Sequence, residues 1–87
     1  MDRNLIECFK ALGDPIRFSI FNSLKQKSIC ACEFTQVLDL EVSQPTLSFH
    51  LKKLRDCGLI LETKDGTRKV MSINQEMVSL IQDYWKI

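Results

Sequence analysis

Apolar residues recur at helical spacing through the first two thirds of the chain, change spacing between positions 59 and 73, and return to a helical pattern at the end. Leu5, Cys8, Phe9 and Leu12 stand at i, i+3, i+4 and i+7, one face of a helix that Gly13 ends. Asp14-Pro15 then restarts the chain, because aspartate is a preferred N-cap and proline suits the first helical position. This predicts a second helix from Pro15 to about Lys25, burying Ile16, Ile20, Phe21 and Leu24, before a polar break at 25–28. A third helix, from about Cys32 to Leu38, is expected to bury Phe34, Val37 and Leu38, with a turn over 39–42. Ser43 caps a fourth helix that runs to Cys57 with Leu47, Leu51 and Leu54 inward, and Gly58 takes the left-handed position after it. Leu59–Thr63 and Lys69–Ile73 flank Asp65-Gly66, a strong hairpin-turn dipeptide between β-compatible segments. Asn74 caps a last helix whose Met77, Val78, Leu80, Ile81, Tyr84 and Trp85 cover more than one narrow stripe.

The expected fold is mainly α with a β-hairpin wing, in the order α-α-α-α-β-β-α, which is the order of a winged helix-turn-helix. With 87 residues, 45 % of them hydrophobic, and no repeat or linker-like tract, the chain supports one domain over 1–87 with a modest core. No apolar run reaches about 18 residues and the N-terminus is polar, so no membrane segment or signal peptide is expected and the reading is cytoplasmic. Four cysteines without secretory context then read as free thiols.

Charge changes the picture through its distribution. The net charge is only +1, yet residues 43–69 carry six basic side chains against three acidic ones, and each flank is net negative. A basic centre is an electrostatic footprint for phosphate. In a helix-turn-helix the N-terminal part of the second helix enters the major groove. With Leu47, Leu51 and Leu54 inward, the outward face is Gln44, Pro45, Ser48, Phe49 and Lys52, with Lys53 beside it. Gln44 can offer a bidentate amide to adenine, Ser48 can bond base edges or a phosphate, and Phe49 can meet a thymine methyl. Ser43 and Thr46 serve either as helix caps alone or also as phosphate contacts. At the hairpin, Arg68 and Lys69 reach flanking phosphates or lie on a solvated turn.

Three blocks in this order, Phe9–Arg17, Ser43–Leu54 and Gly58-Leu59-Ile60, resemble the ArsR/SmtB family of repressors. The resemblance implies a homodimeric winged-helix repressor on double-stranded operator DNA. It also places His50 in the DNA-reading helix, in a structural or DNA-proximal role. Leu5 and Phe9 of the first helix, with Met77, Leu80, Ile81, Tyr84 and Trp85 of the last, are the expected dimer surface.

Cys30-Ala31-Cys32-Glu33-Phe34 is similar to the cysteine-pair signature of the family's metal-responsive members. Thiolates are the ligands that soft ions prefer, and two from one short segment can grip one ion. The resemblance implies arsenite, antimonite or a soft divalent metal as inducer. A pyramidal As(III) site takes three thiolates, Thr35 stands where some members carry the third, and Cys8 or Cys57 are the remaining candidates, although Cys8 on the first helix's apolar stripe and Cys57 near the end of the fourth helix's buried face read first as packing residues. A redox or reactive-sulfur switch on the same thiols, or no sensing role, stay open. A zinc site of His and carboxylates on the last helix is unsupported, since that helix holds no histidine. A protein-interaction module without DNA binding is the alternative of another class. One histidine, no glycine-rich phosphate loop and no paired carboxylates around a pocket leave nothing for an enzyme.

Overall fold

The computed structural model describes residues 3–38 and 41–86; the polar start at Met1-Asp2 and half of the turn expected over 39–42 lie outside them. The elements are α1 (Arg3–Leu12), α2 (Pro15–Leu24), β1 (Ile29–Cys30), a 3-10 turn (Ala31–Glu33), α3 (Phe34–Val37), α4 (Gln44–Asp56), β2 (Ile60–Asp65), β3 (Arg68–Ile73) and α5 (Gln75–Trp85). No helix among the described residues is long and apolar enough to cross a membrane.

The helix ends form for the reasons their sequences give. Asp14 Oδ2 accepts from the N–H groups of Ile16 and Arg17 at 2.9 and 3.1 Å, with Pro15 at the first position of α2. After α4, Gly58 has φ +90°, its N–H donates to Arg55 O, and the Leu59 N–H donates to Leu54 O at 3.1 Å. These two bonds satisfy carbonyls that a helix end otherwise leaves open. Asn74 joins α5 to the same corner: its Oδ1 accepts from the Met77 N–H, and its Nδ2 donates to Gly58 O at 2.8 Å.

The sheet differs from the expected two-stranded ribbon. β1 adds a third strand, in the antiparallel order β1-β3-β2, with Ile29 opposite Met71 and Cys30 opposite Val70. Two residues are too few to leave an alternation in sequence. The hairpin register is shifted as well. Asp65 pairs with Arg68, so the loop is Gly66-Thr67, with Gly66 at φ +66° in the first loop position. Glycine takes that left-handed conformation without the clash a Cβ meets.

The core lies where α1, α2 and α4 meet the sheet, around Ile20, Phe34, Leu47, Leu54, Leu59 and Met71. Three expectations are corrected there. The third helix is a 3-10 turn followed by one α turn; only Phe34 of its expected apolar set is fully buried, Leu38 is half-buried and Val37 is exposed. Ile16 is also only half-buried against the core. Leu5, expected on a partner-facing surface, is 7 % exposed and so is already covered within its own chain.

Candidate nucleic-acid interface and thiol site

α4 presents the outward face its spacing predicts. Ser43, Gln44, Pro45, Thr46, Ser48, Phe49, Lys52 and Lys53 are all exposed, while Leu47, Leu51 and Leu54 are buried. Ser43 Oγ accepts from the Thr46 N–H at 3.3 Å and donates to Thr46 Oγ1 at 2.9 Å, so the cap is locked before any ligand arrives. Phe49 keeps half its surface in solvent with Lys53 Nζ 5.4 Å above its ring, which holds a flat apolar group beside a cation. Lys52 is paired with Asp56 at 2.6 Å, and the Lys52 ammonium holds the Asp56 carboxyl below its usual range. Arg55 donates to Glu62 at 2.6 Å and fixes α4 to β2.

Of the structural and DNA-proximal roles open to His50, its burial supports the structural one. His50 is 7 % exposed, and its Nδ1 lies 3.1 Å from Arg17 Nη1 and 3.9 Å from Asp14 Oδ2. A guanidinium has only donors, so Nδ1 is the acceptor in that contact. Arg17 Nε also donates to Ala11 O at 2.7 Å, joining the end of α1 to the start of α2 and the middle of α4. Sequence spacing left the Arg17 side chain without a role, because its two partners, Ala11 O and His50 Nδ1, come together only when the helices pack.

The thiol pair straddles the surface. Cys30 is buried in β1, and Cys32 is exposed in the 3-10 turn. The Cys32 N–H donates to Cys30 Sγ at 3.4 Å, and the Cys30 N–H donates to Glu33 Oε1 at 3.2 Å, a reciprocal cap of the turn. Hydrogen bonding from Cys32, first from its thiol and then from its N–H, holds the Cys30 thiol below its ordinary range, with Arg68 adding to the effect. The same thiol contact pushes Cys32 up. Arg68 Nη2 donates to Glu33 Oε1 at 2.9 Å, so this wing arginine is bound to the thiol segment rather than standing alone in solvent. Lys69 has no ion-pair partner among the described residues. Glu33 stands in the signature without a role read from sequence, although its place three residues after Cys30 is capping-box spacing.

Cys8 and Cys57 do not join this site. Cys8 Sγ donates to Cys57 O at 3.2 Å and Cys57 Sγ donates to Leu54 O at 3.3 Å, so both are core residues tending carbonyls at the end of α4. Among the described residues no group of three or more Cys, His, Asp or Glu is placed to hold a metal, so neither candidate for a third thiol stands with Cys30 and Cys32, and packing is the role left to both. Cys30 and Cys32 instead share a cleft of about 430 Å³ with Ala31, Gln44, Thr67, Arg68 and Lys69. One cleft thus touches the thiols, the start of α4 and the wing.

Between α1 and α5, Phe9 lies 6.1 Å from Tyr84 and 6.0 Å from Trp85 between ring centroids. Leu80, Tyr84 and Trp85 are exposed, whereas Met77 and Ile81 are half-buried against their own core.

Comparison with known proteins gives a consistent set of likenesses. The sequence profile described as "Bacterial regulatory protein, arsR family" matches residues 14–61. The arsenical resistance operon repressor of Staphylococcus xylosus is 34 % identical over 79 residues, covering 91 % of this chain and 74 % of that protein. The repressor of the same name from Bacillus subtilis is 40 % identical over 72 residues, covering 82 % and 67 %. The solution structure of a homodimeric winged helix-turn-helix DNA-binding domain from Mycobacterium bovis, a possible ArsR-family regulator, superposes with a TM-score of 0.77 at 25 % identity, covering 93 % and 77 %.

Proposed function

This chain belongs to the ArsR family of bacterial regulatory proteins, and from that premise we propose that it is a homodimeric repressor that leaves its operator when Cys30 and Cys32 take up a thiophilic ion. The observation that carries the reading is the shared cleft, in which the two thiols adjoin Gln44 of α4 and Arg68 and Lys69 of the wing. An ion bound by both sulfurs must draw Cys32 and buried Cys30 into one coordination geometry. That rearranges the reciprocal cap at Cys30 and Glu33, next to the DNA-facing groups. Ligand and operator then weaken each other's binding by the same coupling free energy.

Gln44, Ser48, Phe49 and Lys52 form the base-reading face, Ser43, Pro45 and Thr46 hold the helix start against phosphates, and Lys53, Arg68 and Lys69 supply further cationic contacts. Arsenical repressors among the relatives favour arsenite or antimonite as the inducer. The cleft offers As(III) two thiolates, one fewer than a pyramidal all-thiolate site takes. A soft divalent ion satisfied by two sulfurs fits the same pair.

A second reading draws on the thiol chemistry. Cys30 is held low while Cys32 stands exposed beside it, which suits a peroxide-class oxidant: Cys30 becomes a sulfenic acid, Cys32 displaces water, and a disulfide forms.

The test is a fluorescence anisotropy titration on duplex DNA from upstream of its own gene, repeated with Gln44→Ala and with arsenite, cadmium or dilute peroxide. The expected result is salt-sensitive binding that Gln44→Ala weakens by about 1–3 kcal/mol at one base position, and release by arsenite. Binding that ignores both salt and sequence contradicts the repressor reading, and release by peroxide alone favours the redox one.

A further inference from the structure

Arg68 stands where two parts of the proposed mechanism meet. It opens β3 at the tip of the hairpin, opposite Asp65 and beside Thr67 and Lys69. Its Nη2 donates to Glu33 Oε1 at 2.9 Å, and the guanidinium also lies against Cys30. Glu33 in turn accepts from the Cys30 N–H on the same oxygen, at 3.2 Å. The pairing of Cys30 with Val70 sets this closeness in the sheet register, only two positions from Arg68.

We infer that Arg68 is a shared group for which operator phosphate and the loaded thiol site compete, with Glu33 as the positioning residue that holds it on the thiol side. The inference rests on the reading of the wing and thiols given above and adds to it how one could act on the other. A carboxylate and a phosphate both match the planar fork of arginine, and one side chain cannot serve both at once. The ion pair is half-exposed, so phosphates can displace it. Thiolates on a soft ion remain hydrogen-bond acceptors beside Arg68, so the loaded site retains the guanidinium and the operator loses that contact. Because this coupling is mutual, DNA should disfavour ion binding to the same degree.

The experiment measures DNA affinity against salt for the full chain and for Glu33→Gln, Arg68→Gln and the double variant, with thermal melts to show that each is folded. Glu33→Gln leaves Arg68 in place without its carboxylate partner. It is expected to tighten binding several-fold and to steepen the salt dependence by about one phosphate equivalent. Arg68→Gln is expected to weaken binding, to flatten the salt dependence and to shrink the arsenite effect several-fold. The double variant should behave as Arg68→Gln alone, since Glu33 acts through Arg68. Unchanged or weaker binding by Glu33→Gln, or additive effects in the double variant, overturns the inference. If arsenite fails to release the parent, the sensor reading fails, while competition for Arg68 is still decided by the salt slopes.

Discussion

Asp14 caps α2 through two backbone N–H groups and also faces His50 and Arg17, so one carboxylate serves a helix end and a three-helix junction. Hydrogen bonding from the Arg17 N–H is the main reason its carboxyl sits below the ordinary range, with the Arg17 charge in support. The unfolded chain therefore takes up this proton before the folded one does. The stabilisation is fully present above the ordinary aspartate pKa of about 4 and is lost as pH falls through the lower folded value. Asp14→Ala is expected to cost about 1 kcal/mol at neutral pH, read as a lower urea midpoint, with the difference from the parent narrowing in acid. The cap itself was legible from Asp14-Pro15. The contact between Arg17 and His50 was not, because it joins positions 33 residues apart through packing alone. The same holds for Arg68 and Glu33, 35 residues apart, where sequence showed a basic turn and not its partner.

Among the elements, α4 was the most legible, since its cap, buried stripe and terminal glycine all agree on one helix. Gly58 is the position at which that agreement can be tested. Its φ of +90° disfavours any side chain, and a Cβ there would meet Met77 Cε at 3.1 Å. Gly58→Ala is expected to destabilise by about 1–2 kcal/mol, a fall in Tm of roughly 4–8 °C per kcal/mol for a domain of this size. A melting temperature equal to the parent's contradicts the account of this corner. The segment from Ile29 to Leu38 was the least legible. A two-residue strand, a 3-10 turn and one α turn each lack the length over which periodicity can be read, and the apparent helix of 32–38 came from merging the last two. That segment nevertheless carries both thiols, and its β1 pairing is what brings Cys30 to the wing.

At the scale of the whole molecule, the proposed operator face on α4 and the proposed dimer face on α1 and α5 lie on different helices, so the two proposals do not compete for one surface. Phe9, Tyr84 and Trp85 form a loose aromatic group beside a cleft of about 500 Å³ that Ile81, Gln82 and Lys86 complete. Trp85 is 68 % exposed, more than a large aromatic side chain needs to be unless a partner covers it. Sedimentation velocity should show a dimer for the parent and a shift towards monomer by at least tenfold in Kd for Leu80→Ala/Trp85→Ala, with weaker operator binding in step. A variant that stays dimeric moves the interface elsewhere.

The most direct test of the central claim is arsenite titration of the preformed complex with operator DNA, comparing the parent with Cys30→Ser/Cys32→Ser. The account predicts that the parent dissociates as arsenite rises while the serine variant, bound with similar affinity at the outset, stays on the DNA. Equal release of the two proteins contradicts it.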